Sequence, residues 1–424
     1  MAIERPKLKL HRGSTYVFNV GDGSLGSHPL RFTADSGATE YTDGITTAGN
    51  SGTPNSTVTF AVPSNAPNNL MYYCTNHGLG MGNKIKIITD PSINTWFGDR
   101  AVFNQGDYAD ASPTYQAFAY ASISTPGNAV GFANAVKGRD PNNGNMSNGT
   151  RGVFTEGAYA EDIQYITFST LGTVSDFGNL SAQDTVSQYA NHWGGASASN
   201  GIRGFIVGDA DTNTNADLQK AIFYITIDTP GNAVNFGIDF AIHTGRGAAV
   251  SDDTYIVAGG GIVPSGLGDV AAGSSDEVKG LGYFTAMTAS SSTSFGDLAI
   301  ARPYLAGCSN KTRGVFVGGE GDNLGGAPNS DYMIEDIETI TVTTPGNSTQ
   351  FGDLRRKRSR FGLTCNGTHA VTAGGKYQPG AVHVFSDSYE MDYFSMETAG
   401  TATDFGDVYG NNARHWSGAS GNTS

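Results

Sequence analysis

A phenylalanine recurs along the last three quarters of the chain, at Phe132, Phe177, Phe236, Phe295, Phe351 and Phe405, at intervals of 45 to 59 residues. Five of the six are followed directly by glycine. The same short pieces recur between them. One is a strand-like run, seen in Arg151–Phe154, Arg203–Ile206, Tyr255–Ala258, Arg313–Phe316 and His369–Thr372. A second is an alternating strand, as in Tyr165–Phe168, Tyr224–Ile227 and Thr339–Val342. A third is Thr-Pro-Gly-Asn, at Thr125–Asn128, Thr229–Asn232 and Thr344–Asn347. Proline presets φ at the first turn position and glycine allows φ > 0 at the second, which predicts a type II turn there. A period near 50 with several short strands per repeat is the pattern of a β-propeller blade. One small sheet cannot bury both faces alone, and stacking sheets around an axis buries them.

The ends of the chain predict how such a ring closes. The strand-like run occurs six times, near residues 100, 151, 203, 254, 313 and 369. The first occurrence lacks a strand before it. The tail Arg414–Ser424 resembles Asn191–Ser197, the segment that precedes Arg203. The expectation is therefore six blades over residues 91–424, with the C-terminal strand pairing beside Arg100–Gly106. Residues 1–90 read differently. Lys7–Leu10, Tyr16–Val20, Val58–Val62 and Lys84–Ile87 alternate and are separated by Gly, Ser, Asn and Pro turns, a β-sandwich pattern. No segment carries a sustained 3.6-residue period, so the fold class expected is all-β.

Composition narrows the function classes. Glycine accounts for 59 of 424 residues without a G-X-Y period, which excludes collagen. There is no apolar run long enough for a membrane helix. The first residues lack an apolar h-region, so no secretory leader is expected. The net charge of −14 argues against nucleic acid as a partner. Three cysteines are too few for a disulfide framework and fit synthesis in a reducing cytosol. The N-x-[ST] sites at Asn55, Asn148, Asn310, Asn347, Asn366 and Asn422 read as turns rather than glycan acceptors.

The sharpest chemistry is Cys74-Thr75-Asn76-His77-Gly78-Leu79-Gly80-Met81, between two strand-like runs, with His28 upstream. A thiolate, two imidazoles and a thioether suit copper in both oxidation states. The competing reading makes Cys74 a core residue and His28 a turn residue. The motif resembles that of the cupredoxins, such as plastocyanin and azurin, over residues 5–90. That resemblance implies a cupredoxin-like β-sandwich with His28, Cys74, His77 and Met81 as copper ligands.

Three further sets stand out. Asp209, Asp211, Asn213, Asn215 and Asp217 alternate as in calcium loops, but Thr214 and Lys220 stand where the EF-hand pattern has Gly and Glu. An Asn/Asp-rich loop is the plainer reading. Arg355, Arg356, Lys357, Arg358 and Arg360 form a basic cluster that could dock an acidic neighbour, although Arg302 and Arg358 both stand seven residues after a repeat phenylalanine, a structural position. Cys308 and Cys365 read as core strand residues sharing one repeat position. No nucleophile elbow, P-loop or H-E-x-x-H is present, so no enzymatic activity is expected.

The glycine pairs Gly318-Gly319 and Gly374-Gly375, which follow the strand-like runs, and the short strands resemble Kelch and galactose-oxidase-like propellers. Thr312–Gly319 and Thr344–Leu354 are similar still more to the repeat strings of virion proteins of marine tailed phages. That resemblance implies a virion structural protein, a tail-fibre or receptor-facing component or a capsid-surface decoration, assembled in the host cytoplasm. Its partners would be other virion proteins and a host-surface glycan or receptor, and it would be oligomeric within the particle. The rival reading is a copper redox protein, a cupredoxin fused to a galactose-oxidase-like propeller. A third is a secreted glycan-binding propeller.

Overall fold

The structure is a computed structural model that describes residues 5–11, 15–34, 39–63, 66–88, 97–106, 117–134, 144–155, 162–180, 195–208, 220–252, 254–263, 276–321, 332–379, 386–408 and 415–421. The described residues are all-β, apart from one 3-10 turn at Gly23–Leu25. None of their helices is long and apolar enough to cross a membrane. The chain divides into two compact units, Met1–Asn94 and Thr95–Ser424.

The described residues of the first unit form seven strands: β1 Leu8–His11, β2 Thr15–Asn19, β3 Leu30–Thr33, β4 Ile45–Ala48, β5 Thr57–Ala61, β6 Asn69–Cys74 and β7 Gly78–Ile88. They form two sheets, ordered β1-β7-β6-β3 and β2-β5-β4. Alternation selects the inward faces: Val58 and Phe60 are buried while the flanking β5 residues are not. Leu10, Phe32, Leu70, Ile85 and Ile87 join them in one apolar core. The rings of Phe32 and Phe60 lie 5.3 Å apart.

Among its described residues the second unit contains six four-stranded antiparallel sets of one pattern, the second and third of which are joined by a parallel pairing of Gly144–Asn145 with Ser197–Ala198. We number them as sheets one to six. Their second strands are Arg100–Gly106, Arg151–Thr155, Arg203–Val207, Tyr255–Gly259, Arg313–Val317 and His369–Ala373. The first strands of sheets two to six are Gly144–Ser147, Ala196–Ser199, Ala248–Ser251, Ala306–Ser309 and Gly362–Cys365. Sheet one takes its first strand from the end of the chain. His415–Gly421 pairs with Arg100–Gly106 over seven residues, from His415↔Gly106 to Gly421↔Arg100. This is the pairing that the tail's likeness to Asn191–Ser197 predicts. The first strands also touch in sequence: that of sheet one meets those of two and six, and each other one meets its numerical neighbours.

A belt of hydrogen bonds follows these contacts. The Ser199 hydroxyl donates to the Ser147 carbonyl at 2.8 Å, Ser251 donates to Ser199, and Ser309 donates to Ser251 at 2.6 Å. The Cys365 thiol then donates to the Ser309 carbonyl at 3.2 Å. Cys365 thus occupies the serine position, which corrects the expectation that Cys308 and Cys365 are equivalent. The pairings Ser309↔Gly314 and Cys365↔Ala370 align those two residues, whereas Cys308 aligns with Thr364. The count is set by the turn that follows. Asn310 and Asn366 each accept the backbone N–H three residues on, as do Asn148 and Asn200, all at 2.8–2.9 Å. These side chains close the turn into the second strand, which is why Asn or Asp stands there.

The Pro-Gly segments do something other than what their sequence predicts. The hydrogen-bonded turn closes earlier, with Thr125, Thr229 and Thr344 donating to Ser122, Thr226 and Thr341 at 2.9–3.1 Å. Gly127, Gly231 and Gly346 do not adopt positive φ, so no type II turn forms there. Proline is equally at home at the second position of other bends. What the segment supplies is a dock for the neighbouring sheet. The side-chain oxygens of Asn128, Asn232 and Asn347 accept the backbone N–H of Asp407, Asn179 and Asp297 at 3.0 Å. Ala129, Ala233 and Ser348 donate back to the same three residues at 2.8–2.9 Å. The glycine after the repeat phenylalanine is what permits this approach. A Cβ on Gly178 or Gly406 would stand 2.5 or 2.6 Å from the backbone of Gly231 or Gly127.

The repeat arginine is a second lock. Arg100, Arg151, Arg203 and Arg313 each donate to a carbonyl of the next sheet, at Phe168, Asp228, Ala286 and Met396. Each also lies over an aromatic ring, Tyr120, Tyr165, Tyr224 or Phe351, at 4.5–4.9 Å. Tyr255, which replaces arginine in sheet four, instead packs edge-on against Tyr283 at 5.6 Å.

Candidate metal centre

The site in the first unit grows from one turn. β6 ends at Cys74 and β7 starts at Gly78, and the Cys74 carbonyl accepts the His77 N–H at 3.3 Å. Gly78 has φ +56°, the left-handed region that glycine enters without strain. This turn is tied to the segment that enters β3. Thr75 donates to the Pro29 carbonyl at 3.2 Å, and the Asn76 amide donates to the Ser27 carbonyl at 2.8 Å. Those two bonds flank His28 and set its distance from Cys74. On its other side, His28 donates to the Leu25 carbonyl at 2.9 Å from the 3-10 turn, which Asp22 caps through Ser24.

Three donor atoms converge as a result. The Cys74 Sγ lies 3.4 Å from the His77 Nδ1 and 3.8 Å from the His28 Nδ1, and the two Nδ1 atoms are 3.1 Å apart. The imidazole rings sit 4.6 Å apart at 32°. A metal with bonds of about 2.0 Å to nitrogen and 2.3 Å to sulfur separates such ligands by about 3.3–3.7 Å at tetrahedral to trigonal angles. The observed edges of 3.1, 3.4 and 3.8 Å lie within about 0.2 Å of those values, so His28, Cys74 and His77 can hold a metal ion. Cys74 is buried, His28 half-buried and His77 exposed, so the thiol is shielded while one imidazole faces solvent. The mixed sulfur and nitrogen donor set favours soft or borderline transition metals over calcium or magnesium.

Met81 lies on the run that follows. The register pairs Cys74 with Gly78 and Tyr72 with Asn83, so residues 79–82 form a bulge facing Tyr73 alone. Met81 is half-buried in that bulge. Gly82 lets the strand return, because a Cβ there would stand 1.9 Å from the Tyr72 carbonyl oxygen. The three-donor triangle is assembled without Met81.

The other sequence candidates fare differently. Asp209, Asp211, Asn213, Asn215 and Asp217 lie outside the described residues. In the basic cluster, four arginines face carboxylates of this chain. Arg355 pairs with Asp392 and Asp404, Arg356 with Glu390 at 3.3 Å, and Arg360 with Glu320 at 2.8 Å. Arg358 is fully buried and pairs with the equally buried Asp392 at 3.0 Å, which removes it from any docking surface. Arg302 does the same with Glu338 at 2.8 Å. The sequence hinted at these two arginines through their repeat position. Their partners were missed, although Glu338 and Asp392 are both the third residue of a third strand.

Burial pulls the Arg302 and Arg358 guanidiniums below their ordinary range, against the pull of those carboxylates. Burial pushes the Cys308 thiol well up. Glu320 is held below the usual carboxylate range. Its burial works against ionisation, but Arg360 and the Ser359 hydroxyl outweigh it. Asp99 is likewise held down. Burial opposes its charge, while hydrogen bonds from Ser122, Ser124 and Asn366 favour it.

A scan against protein-family models finds no match for this chain, and neither does a search of curated proteins.

Proposed function

We propose that the chain is a non-enzymatic structural protein of a tailed-phage particle: a cupredoxin-like β-sandwich that docks, followed by a six-bladed β-propeller that serves as an exposed binding scaffold. The observation that carries this reading is the cyclic order in which the first strands of the six sheets meet, with the C-terminal strand completing the first sheet. Such an order supports a ring without free ends, a rigid base for loops. The Pro-Gly-Asn and Phe-Gly strings that resemble marine phage virion proteins have a physical role as locks between neighbouring sheets. A protein whose repeat grammar is spent on rigidity suits a tail-fibre, receptor-facing or capsid-surface position, with other virion proteins and a host-surface glycan or receptor as partners. Tandem mass spectrometry of gradient-purified particles tests the assignment. The protein co-purifying with the particles supports it, and its absence from them refutes it.

A second reading is favoured by the donor triangle. The sandwich would hold copper through His28, Cys74 and His77, with Met81 as a weak fourth ligand. Bound copper supplies a one-electron couple at that site. The chain's own part is to shield the thiolate and to fix both Nδ1 atoms through the Ser27 and Pro29 tethers. Copper addition is expected to produce an intense visible absorption that is lost in Cys74→Ser. No colour and no thermal shift with copper would refute it.

A further inference from the structure

Between the second and third strands of sheet six the chain forms two short strands, Lys376–Tyr377 and Ser386–Asp387, that pair with each other. Lys376–Tyr377 also pairs with Arg358–Ser359, which lies just before the first strand, and the three make a small separate sheet. Beside it lies a cleft of about 520 Å³ lined by Arg356, Tyr377, Asp387, Tyr389, Glu390 and Asp407, among others. That volume falls within the range of about 300–1,000 Å³ typical of small-molecule sites. We propose that this cleft binds a neutral pyranose sugar. The proposal rests on the reading of the second unit as an exposed binding scaffold, and it names the ligand class.

Three features select the ligand. The first is aromatic. Tyr389 is 41% exposed, and its backbone is fixed by Val408 donating to its carbonyl at 2.8 Å. Tyr377 forms a second wall, with the Arg356 guanidinium 5.4 Å over its ring. A pyranose presents a C–H face that packs on such rings. The second is an orphaned acceptor. Arg356 engages one carboxylate oxygen of Glu390 at 3.3 Å, while the other, Oε2, is buried without a hydrogen-bond partner among the described residues. A buried carboxylate oxygen left without a donor is costly, and a ligand hydroxyl would satisfy it. The third is charge. The lining carboxylates Asp387, Glu390 and Asp407 are answered by Arg356 in the lining, by Arg355 and Arg358 close to Glu390, and by Lys376 opposite Asp387 in the strand pair, so the cleft offers no surplus of cations to clamp a phosphate or an acidic sugar and favours an uncharged ligand. A ligand with hydroxyl donors, an apolar face and no negative charge meets all three requirements.

The test uses the full chain and four probes, the methyl glycosides of glucose, galactose, mannose and N-acetylglucosamine. Saturation-transfer NMR and a binding titration are run beside N-acetylneuraminic acid. At least one neutral glycoside is expected to bind, Tyr389→Ala to weaken it by about tenfold, and N-acetylneuraminic acid to give no signal. Glu390→Gln, which keeps a side chain of the same shape, is expected to weaken binding while leaving the melting temperature near wild type. No signal from any of the four probes overturns the proposal. So does binding that neither substitution affects, or preferential binding of the acidic sugar. Presence in particles is read separately, so failure of the cleft leaves the scaffold assignment standing.

Discussion

Gly406→Ala separates a steric account of the repeat from a merely compositional one. Gly406 follows the last repeat phenylalanine and has φ +141°, a region that alanine enters at a cost of about 1–3 kcal/mol. Its added Cβ would also stand 2.6 Å from the Gly127 carbonyl carbon and 2.9 Å from the Asn128 nitrogen. That segment of sheet one must then retreat from sheet six. Retreat strains two hydrogen bonds, Asp407 to the Asn128 side chain at 3.0 Å and Ala129 to the Asp407 carbonyl at 2.8 Å. Each is worth about 1 kcal/mol, so the total loss is roughly 3–5 kcal/mol. At about 2–4 °C per kcal/mol, the melting temperature of the second unit should fall by roughly 6–20 °C. Gly127→Ala is the control. A Cβ there meets nothing within 4 Å, and Gly127 is not at positive φ. Scanning calorimetry on both variants reads the difference. A Gly406→Ala protein as stable as wild type, or a Gly127→Ala protein destabilised as much as Gly406→Ala, would refute the inter-sheet lock.

Three more outcomes follow from the same contacts. Deleting residues 415–424 removes the strand paired with Arg100–Gly106 and should leave the second unit unfolded or its melting temperature sharply lowered, whereas an unchanged calorimetric transition would contradict closure by the tail. Arg302→Ala removes the guanidinium paired with the fully buried Glu338 and should cost about 3–5 kcal/mol in urea unfolding, while a loss below about 1 kcal/mol would mean the pair is effectively solvated. Glu320, held below the usual carboxylate range, adds stability that is complete above its unfolded pKa of roughly 4.3 and is lost as pH falls through its lower folded value. Wild type and Glu320→Gln should therefore differ in urea midpoint at pH 7 and converge as pH falls below the ordinary carboxylate range, and a pH-independent difference would count against that cause.

What could be read from the sequence was local or periodic. The Asn turns announce themselves because the acceptor and its donors lie within three residues, as in Asn310 and Arg313. The tail pairing was legible because Trp416 repeats the neighbourhood of Trp193. What could not be read depends on neighbours distant in sequence. Gly178 and Gly406 are glycines because of Gly231 and Gly127 in other sheets, not because of their own turns. The Pro-Gly turn was misassigned for the same reason, since that segment serves the adjacent sheet. Cys365 could not be aligned with Ser309 until the pairing register fixed the count. In the metal centre, Cys74 and His77 are near in sequence and were found together. The placement of His28 comes from the Asn76 and Thr75 bonds to Ser27 and Pro29, which no spacing rule records.

The proposal that this chain is built into a phage particle as a ring-shaped scaffold is tested most directly by image reconstruction of purified particles, with the protein identified in them by mass spectrometry. The account predicts a six-lobed ring of density on the particle surface into which residues 95–424 fit. Particles that lack the protein, or whose surface density holds no six-lobed ring, would contradict it.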